Sequence, residues 1–262
     1  MLKNGINPDE EYFCEGAYQI GNASIRCSAH RYAGAHMTMV TALEKSCNSY
    51  MIHHALTVGR EEISEVLKNA GIGRKSGLEL PESAGDFPTP ALKERRFRAK
   101  WNSFDTALLS IGQGMVTVTP LQMALYTAAI ANGGTLYQPH LVREIVDGVG
   151  ITLYERKVAA VGKLGVSAKQ LAVVQNGMFQ VVNSSGGSGR RAAVENLNIY
   201  GKTGTAEIGP VGKRRNITHF VAYVTYKERT YAAAVTVEDG ASGGRTCAPL
   251  MAAFFEHYLL GE

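Results

Sequence analysis

Long apolar runs are missing from this 262-residue chain. No stretch approaches the roughly 18 residues that a membrane crossing takes. The N-terminus, MLKNGINPDEEY, has no apolar core of the signal-peptide kind, so the chain as it stands reads as soluble and unexported. Charge of one sign is also in short supply: the net charge is +4 and its basic residues are scattered. The densest basic run, Arg95-Arg96-Phe97-Arg98-Ala99-Lys100, reads as a solvated loop, which argues against a nucleic-acid surface. Cysteine is scarce, at positions 14, 27, 47 and 247 with no C-x-x-C, so a zinc ribbon or thioredoxin-type site is not expected. Repeats and low-complexity tracts are absent. The chain is 45% hydrophobic, enough to build the core of one large domain or two small ones.

Periodicity and punctuation outline the elements. Residues 18–20, a Gly21-Asn22 turn and residues 24–26 form a candidate hairpin flanked by Cys14 and Cys27. Paired strands would bring those thiols together, as a disulfide in an oxidising compartment or as unpaired thiols. A Cys14/Cys27/His30 metal cluster lacks an obvious fourth ligand, and no metal or cofactor is expected. Helices are predicted over 37–43, 50–58 and 60–70; the last carries Ile63, Val66, Leu67 and Ala70 on one face and stops at Gly71. Residues 73–101, rich in Gly, Pro and charge, read as a long surface connection. Thr119-Pro120 caps a helix with Leu121, Ala124, Leu125, Ala128 and Ala129 as its apolar face, ending at Asn132-Gly133-Gly134. Ser167 and Gln170 make a capping box for a helix burying Leu171, Val174, Met178 and Val181. SSGGSG at 184–189 reads as a flexible loop. Strands are predicted near 197–200, 220–226 and 231–237, the last apolar enough for a central position, with a hairpin turn at 227–230. A helix over 248–260 closes the chain. Helices, then an antiparallel sheet, then a helix point to an α+β fold with helices packed over the sheet.

The stretch IYGKTGTAEIG at 199–209 admits two readings. A phosphate-binding loop needs a glycine five positions before Gly201, where Asn196 stands, and a helix at Lys202-Thr203, where Gly204 and Pro210 oppose one. The second reading is the K-T-G element of an acyl-transfer site, whose companions are S-x-x-K and S-D-N or S-x-N. Ser46-Cys47-Asn48 supplies S-x-N, and Lys202-Thr203-Gly204 supplies K-T-G on a strand. Taken singly, Ser46 or Asn48 could cap a helix, Lys202 could be a surface lysine, Cys47 a small buried residue and Gln113 a turn residue.

Together these stretches resemble the transpeptidase domain of class B penicillin-binding proteins, of the division, elongation or sporulation type. The resemblance rests on ALEKSCNSYM, SGLELPESAG, SIGQGMVTVTPLQMALYTAAIANGG, GKTGTAE and GGRTCAPLMAAFF and runs over nearly the whole chain, 1–262, read as one partial transpeptidase domain. It implies a β-lactamase/transpeptidase-like α+β fold in which an antiparallel sheet is covered by helices. It implies that Lys202, Ser46 and Asn48 are catalytic: Lys202 as cation and proton donor, Ser46 as proton relay, Asn48 holding the acyl-side amide. Thr203, Gly204 and Thr205 would bind substrate, Thr205 at its terminal carboxylate and, through its N–H, in the oxyanion hole. Implied partners are peptidoglycan stem peptides, β-lactams and other cell-wall synthesis proteins. The implied location is the extracytoplasmic face of the bacterial membrane.

One motif departs from the family. No serine of the chain has a lysine three positions on, so S-x-x-K is absent. The start, LKNGINPDEEYFCEG, resembles the stretch that follows the nucleophile helix. The sequence therefore reads as lacking that helix, two N-terminal strands of the sheet and the membrane anchor, and as inactive by itself. Strand 231–237 would then lie at an open sheet edge and promote self-association. The alternatives are a non-catalytic peptidoglycan- or partner-binding module, or a β-lactamase or β-lactam-sensor relative.

Overall fold

The computed structural model describes residues 1–29, 36–210 and 212–261. Two small antiparallel ladders open the chain: β1 (Tyr12–Phe13) with β4 (His36–Met37), and the hairpin β2 (Ala17–Ile20) with β3 (Ala23–Arg26), turning at Gly21 as the sequence predicts. His30, the third member of the weighed metal cluster, lies outside the described residues. Helices α1 (Met39–Lys45), α2 (Asn48–Val58) and α3 (Arg60–Asn69) follow.

The expected surface connection at 73–101 contains a helix, α4 (Pro90–Phe97), and α5 (Ser103–Ser110) comes directly after it. Thr89 accepts from the Leu92 N–H and Pro90 takes the first turn; Asn102 and Asp105 form a reciprocal capping box. These caps start short helices in a stretch whose charge and proline content suggest coil. The basic run expected as a solvated loop thus begins inside α4.

Helix α6 (Pro120–Ala131) is capped by Thr119 as expected, but its buried residues are Gln122, Thr127, Ala129 and Ile130. A helix apolar nearly all round gives no single face to read. Gln122 is buried because its amide donates to the carbonyls of Arg74 and Ala84. Next come β5 (Thr135–Tyr137) with β8 (Ala160–Lys163), and the exposed hairpin of β6 (Glu144–Val146) and β7 (Thr152–Glu155). Helix α7 (Ala168–Asn183) begins at the Ser167/Gln170 box.

The principal sheet has three antiparallel strands in the order β11 (Arg229–Glu238), β10 (Arg215–Tyr226), β9 (Ile199–Ile208). The apolar strand at 231–237 is thus an edge and only partly buried; β10 is the central strand. Lys227 and Glu228 both have positive φ in the β10–β11 turn. One face of the sheet packs Phe220, Ala222 and Val224 against Val181 and Val182 and the closing helix, a π turn (Gly243–Cys247) running into α8 (Ala248–Phe255). The other face presents Tyr200, Tyr223 and Ala232 to Leu171 and Met178 of α7 and Ala129 and Ile130 of α6. Helices on both faces make this an α+β sandwich, and β9 keeps its outer edge open among the described residues.

Candidate active site

Successive residues of β9 point to opposite faces. Lys202 and Gly204 turn toward the α1–α2 junction side, and Thr203 and Thr205 toward the closing helix. Ser46 ends α1 in the left-handed conformation, φ 57°, which serine rarely adopts. From there its Oγ accepts from Lys202 Nζ at 2.9 Å, across 156 positions of sequence. Lys202 also donates to the Thr203 carbonyl at 3.0 Å. No carboxylate pairs with the amine among the described residues, and burial pushes its pKa down to about 8. A lysine at that value is present as amine and ammonium near neutral pH, which suits it to exchange a proton with Ser46.

The position of Ser46 is set from behind. Thr38 and Thr41 cap α1 reciprocally. Gly177 of α7 lies so close to α1 that a Cβ there would sit 2.8 Å from Leu43 Cβ. The 184–189 loop, expected to be flexible, is pinned instead: Ser184 donates to the Glu44 carboxylate, Ser188 N–H donates to the Glu44 carbonyl at 3.1 Å, and Gly187 and Gly189 are buried. Lys45 neutralises Glu44 at 2.8 Å in a nearly buried pair. The loop then sets Ser188 Oγ 3.1 Å from Thr203 Oγ1. Sequence reasoning missed Ser188 because the SSGGSG stretch around it carries no periodicity or motif.

Thr205 is held at both ends. Its Oγ1 accepts from the Gly243 N–H at 3.1 Å, and its carbonyl accepts from Gln113 Nε2 at 3.0 Å. Gly243 rests on the backbone of Gly204 and His219, whose carbonyl oxygens a Cβ would overlap. His219 lies across from Gly204 with Nδ1 3.0 Å from Thr236 Oγ1, and burial holds its pKa below the ordinary imidazole value. Asn48 begins α2, and its amide donates to the Arg26 carbonyl at 3.0 Å; no hydrogen bond joins it to Ser46 or Lys202 among the described residues. Five of the six sequence-derived site residues therefore share one edge, and Asn48 stands beside it, bonded to β3.

Cys47, between Ser46 and Asn48, is fully buried and caps α2 through its sulfur. It meets Cys27 at 3.6 Å, and Cys14, Cys27 and Cys47 have their sulfurs within 4.8 Å of one another. All four cysteines are thiols, so of the two readings left open for Cys14 and Cys27, disulfide or thiols, the structure has the thiols. The contact with Cys47 and nearby backbone N–H groups pull the Cys27 thiol below its usual range, and Cys47 is pushed up. Thiolates around a tetrahedral zinc stand roughly 3.8 Å apart. Cys27 and Cys47 stand near that spacing, and Cys14 lies within 4.8 Å of both.

An antiparallel sheet covered by helices, with a K-T-G edge strand facing an S-x-N turn, defines the transpeptidase class of fold. The family model for the penicillin binding protein transpeptidase domain matches residues 1–256, and the chain belongs to that family. It is 33% identical over 239 residues to the peptidoglycan D,D-transpeptidase MrdA of Acinetobacter baumannii, covering 86% of this chain and 35% of that protein. It is 29% identical to MrdA of Haemophilus influenzae, covering 99% and 42%. Among solved structures, a complex between penicillin-binding protein PBP2 and MreC from Helicobacter pylori superposes with a TM-score of 0.81 at 26% identity, covering 99% of this chain and 47% of that one. The chain thus spans less than half the length of the curated relatives it matches. No helix among the described residues is long and apolar enough to cross a membrane.

Proposed function

We propose that this chain supplies the substrate edge and proton-relay half of a peptidoglycan D,D-transpeptidase, acting on stem peptides through a serine acyl-enzyme whose nucleophile is not among its 262 residues. The observation that carries this reading is the 2.9 Å bond from Lys202 to Ser46 on an otherwise open strand edge. An extended peptide would add to β9 by backbone hydrogen bonds. Lys202 and Ser46 would move the proton between attacking and leaving groups, the Thr205 N–H would stabilise the oxyanion, Thr205 would bind the substrate's terminal carboxylate and Thr203 would offer its hydroxyl to the substrate. Asn48 would swing its amide from Arg26 to the acyl-side amide. A relative solved in complex with MreC supports cell-wall synthesis proteins as partners. The extracytoplasmic face of the membrane would be the place of action. β-Lactams would bind as mimics of the peptide.

Intact-mass analysis after penicillin treatment tests this. The chain alone should gain no adduct, because without a nucleophilic serine no acyl-enzyme forms. The same chain extended with its native upstream coding sequence should gain one. An adduct on the chain alone refutes the assignment of roles. The absence of S-x-x-K favours a second reading, a non-catalytic peptidoglycan-binding module; a folded extended form that binds the peptide and never acylates would establish it.

A further inference from the structure

In an antiparallel ladder, alternate residues turn both backbone groups to the same side. The carbonyls of Thr203 and Thr205, two apart and so turned to the same side of β9, accept from Lys202 Nζ and Gln113 Nε2; neither donor belongs to β10, which assigns that side to the open edge of β9. An added peptide strand would need those acceptors for its own N–H groups. Gln113 reaches Thr205 from 92 positions away. It sits between Gly112, φ +71°, and Gly114, φ +85°, on a turn tied down by its own N–H to the Leu108 carbonyl at 2.9 Å. A side-chain amide on a fixed turn thus stands where a peptide N–H would stand.

We propose that Gln113 is a positioning residue that acts as a placeholder for the ligand's amide: it keeps the Thr205 end of β9 bonded while the edge is empty, and yields that acceptor when an extended peptide adds. The inference rests on the peptide-binding reading of this edge. The ligand class is a peptide whose backbone N–H reaches Thr205. Ligand binding exchanges one amide donor for another, so the protein's own hydrogen bond is lost as the ligand's is made. One neutral hydrogen bond corresponds to roughly a fivefold change in dissociation constant.

The test is an NMR titration of the folded chain with an N-acetylated peptide ending in D-Ala-D-Ala, following the amides of Gly204 and Thr205. Gln113→Met, which keeps the side-chain length and loses the donor, and Gln113→Ala, which also empties the space, are titrated beside it. Both variants should bind about three- to tenfold more tightly than the parent, with Met matching Ala. Unchanged or weaker binding by the variants, with the parent binding at β9, overturns the placeholder and leaves the peptide-binding reading intact. Tighter binding by Ala alone also overturns it, since that outcome means bulk and not the donor blocks the edge. Binding by none of the three, all folded by thermal unfolding, sinks the peptide-binding reading and the placeholder with it.

Discussion

The Lys202 amine is buried with no carboxylate paired to it among the described residues. Burial without a carboxylate lowers its pKa to about 8, while the unfolded chain keeps the ordinary lysine value near 10.4. Between those values the unfolded state binds more protons, so folding stability rises with pH across that window, and the whole penalty is present below about pH 8. Lys202 as a whole is only half-buried, and solvent screening then holds the gain to about 1–2 kcal/mol rather than the full shift. Urea unfolding at pH 7.5 and 10 should show that gain in the parent and not in Lys202→Met. Gly243 is constrained more severely: Gly243→Ala puts a methyl on the carbonyls of Gly204 and His219, which are backbone and cannot rotate away. It should lose about 2–3 kcal/mol of stability by chemical denaturation; a loss under 0.5 kcal/mol would mean the turn stands off the strand.

Among the elements, the α1–α7 contact decides where Ser46 sits. Gly177 is buried against Leu43, and a Cβ at 177 would fall 2.5 Å from Leu43 Cδ1. Gly177→Val should therefore cost about 2–3 kcal/mol. Leu43→Ala in the same chain should recover part of that, giving a coupling above about 1 kcal/mol in a double-mutant cycle. Additive losses would show that the two helices do not share this contact. The cap that starts α6 was readable in Thr119-Pro120, and so was its end, but the buried face was not. With apolar residues around most of the helix, the choice fell to Gln122 because two carbonyls waited for its amide. The same limit applies to loop 184–189, whose small residues carry no pattern yet make the bonds that place Ser188 against Thr203.

At the scale of the molecule, two surfaces are expected to promote self-association. Among the described residues β11 is an edge strand with an apolar sequence, and the β6–β7 hairpin exposes Val149 (82%), Ile151 (61%) and Leu153 (67%). Light scattering should rise with protein concentration. Replacing those three hairpin residues with Thr, Ser and Gln should reduce it without lowering the melting temperature, because their side chains support no core. A parent chain that stays monomeric at high concentration would count against both surfaces.

The sequence by itself determined which residues could do chemistry and most of the elements that carry them. Caps and periodicity are local, so Thr119-Pro120, Ser167 with Gln170, and the 60–70 helix were legible. So was the hairpin at Gly21, and K-T-G with S-x-N named Ser46 and Lys202. Tertiary structure decided what those residues meet. Ser46 and Lys202 are 156 positions apart, and Gln113 and Thr205 are 92 apart; no local pattern encodes such pairings. Burial of Lys202 with no carboxylate paired to it among the described residues, the edge position of β11 and the gathering of three thiols behind Ser46 are likewise long-range outcomes. They follow from how whole faces pack, and a face is chosen only when its partner arrives.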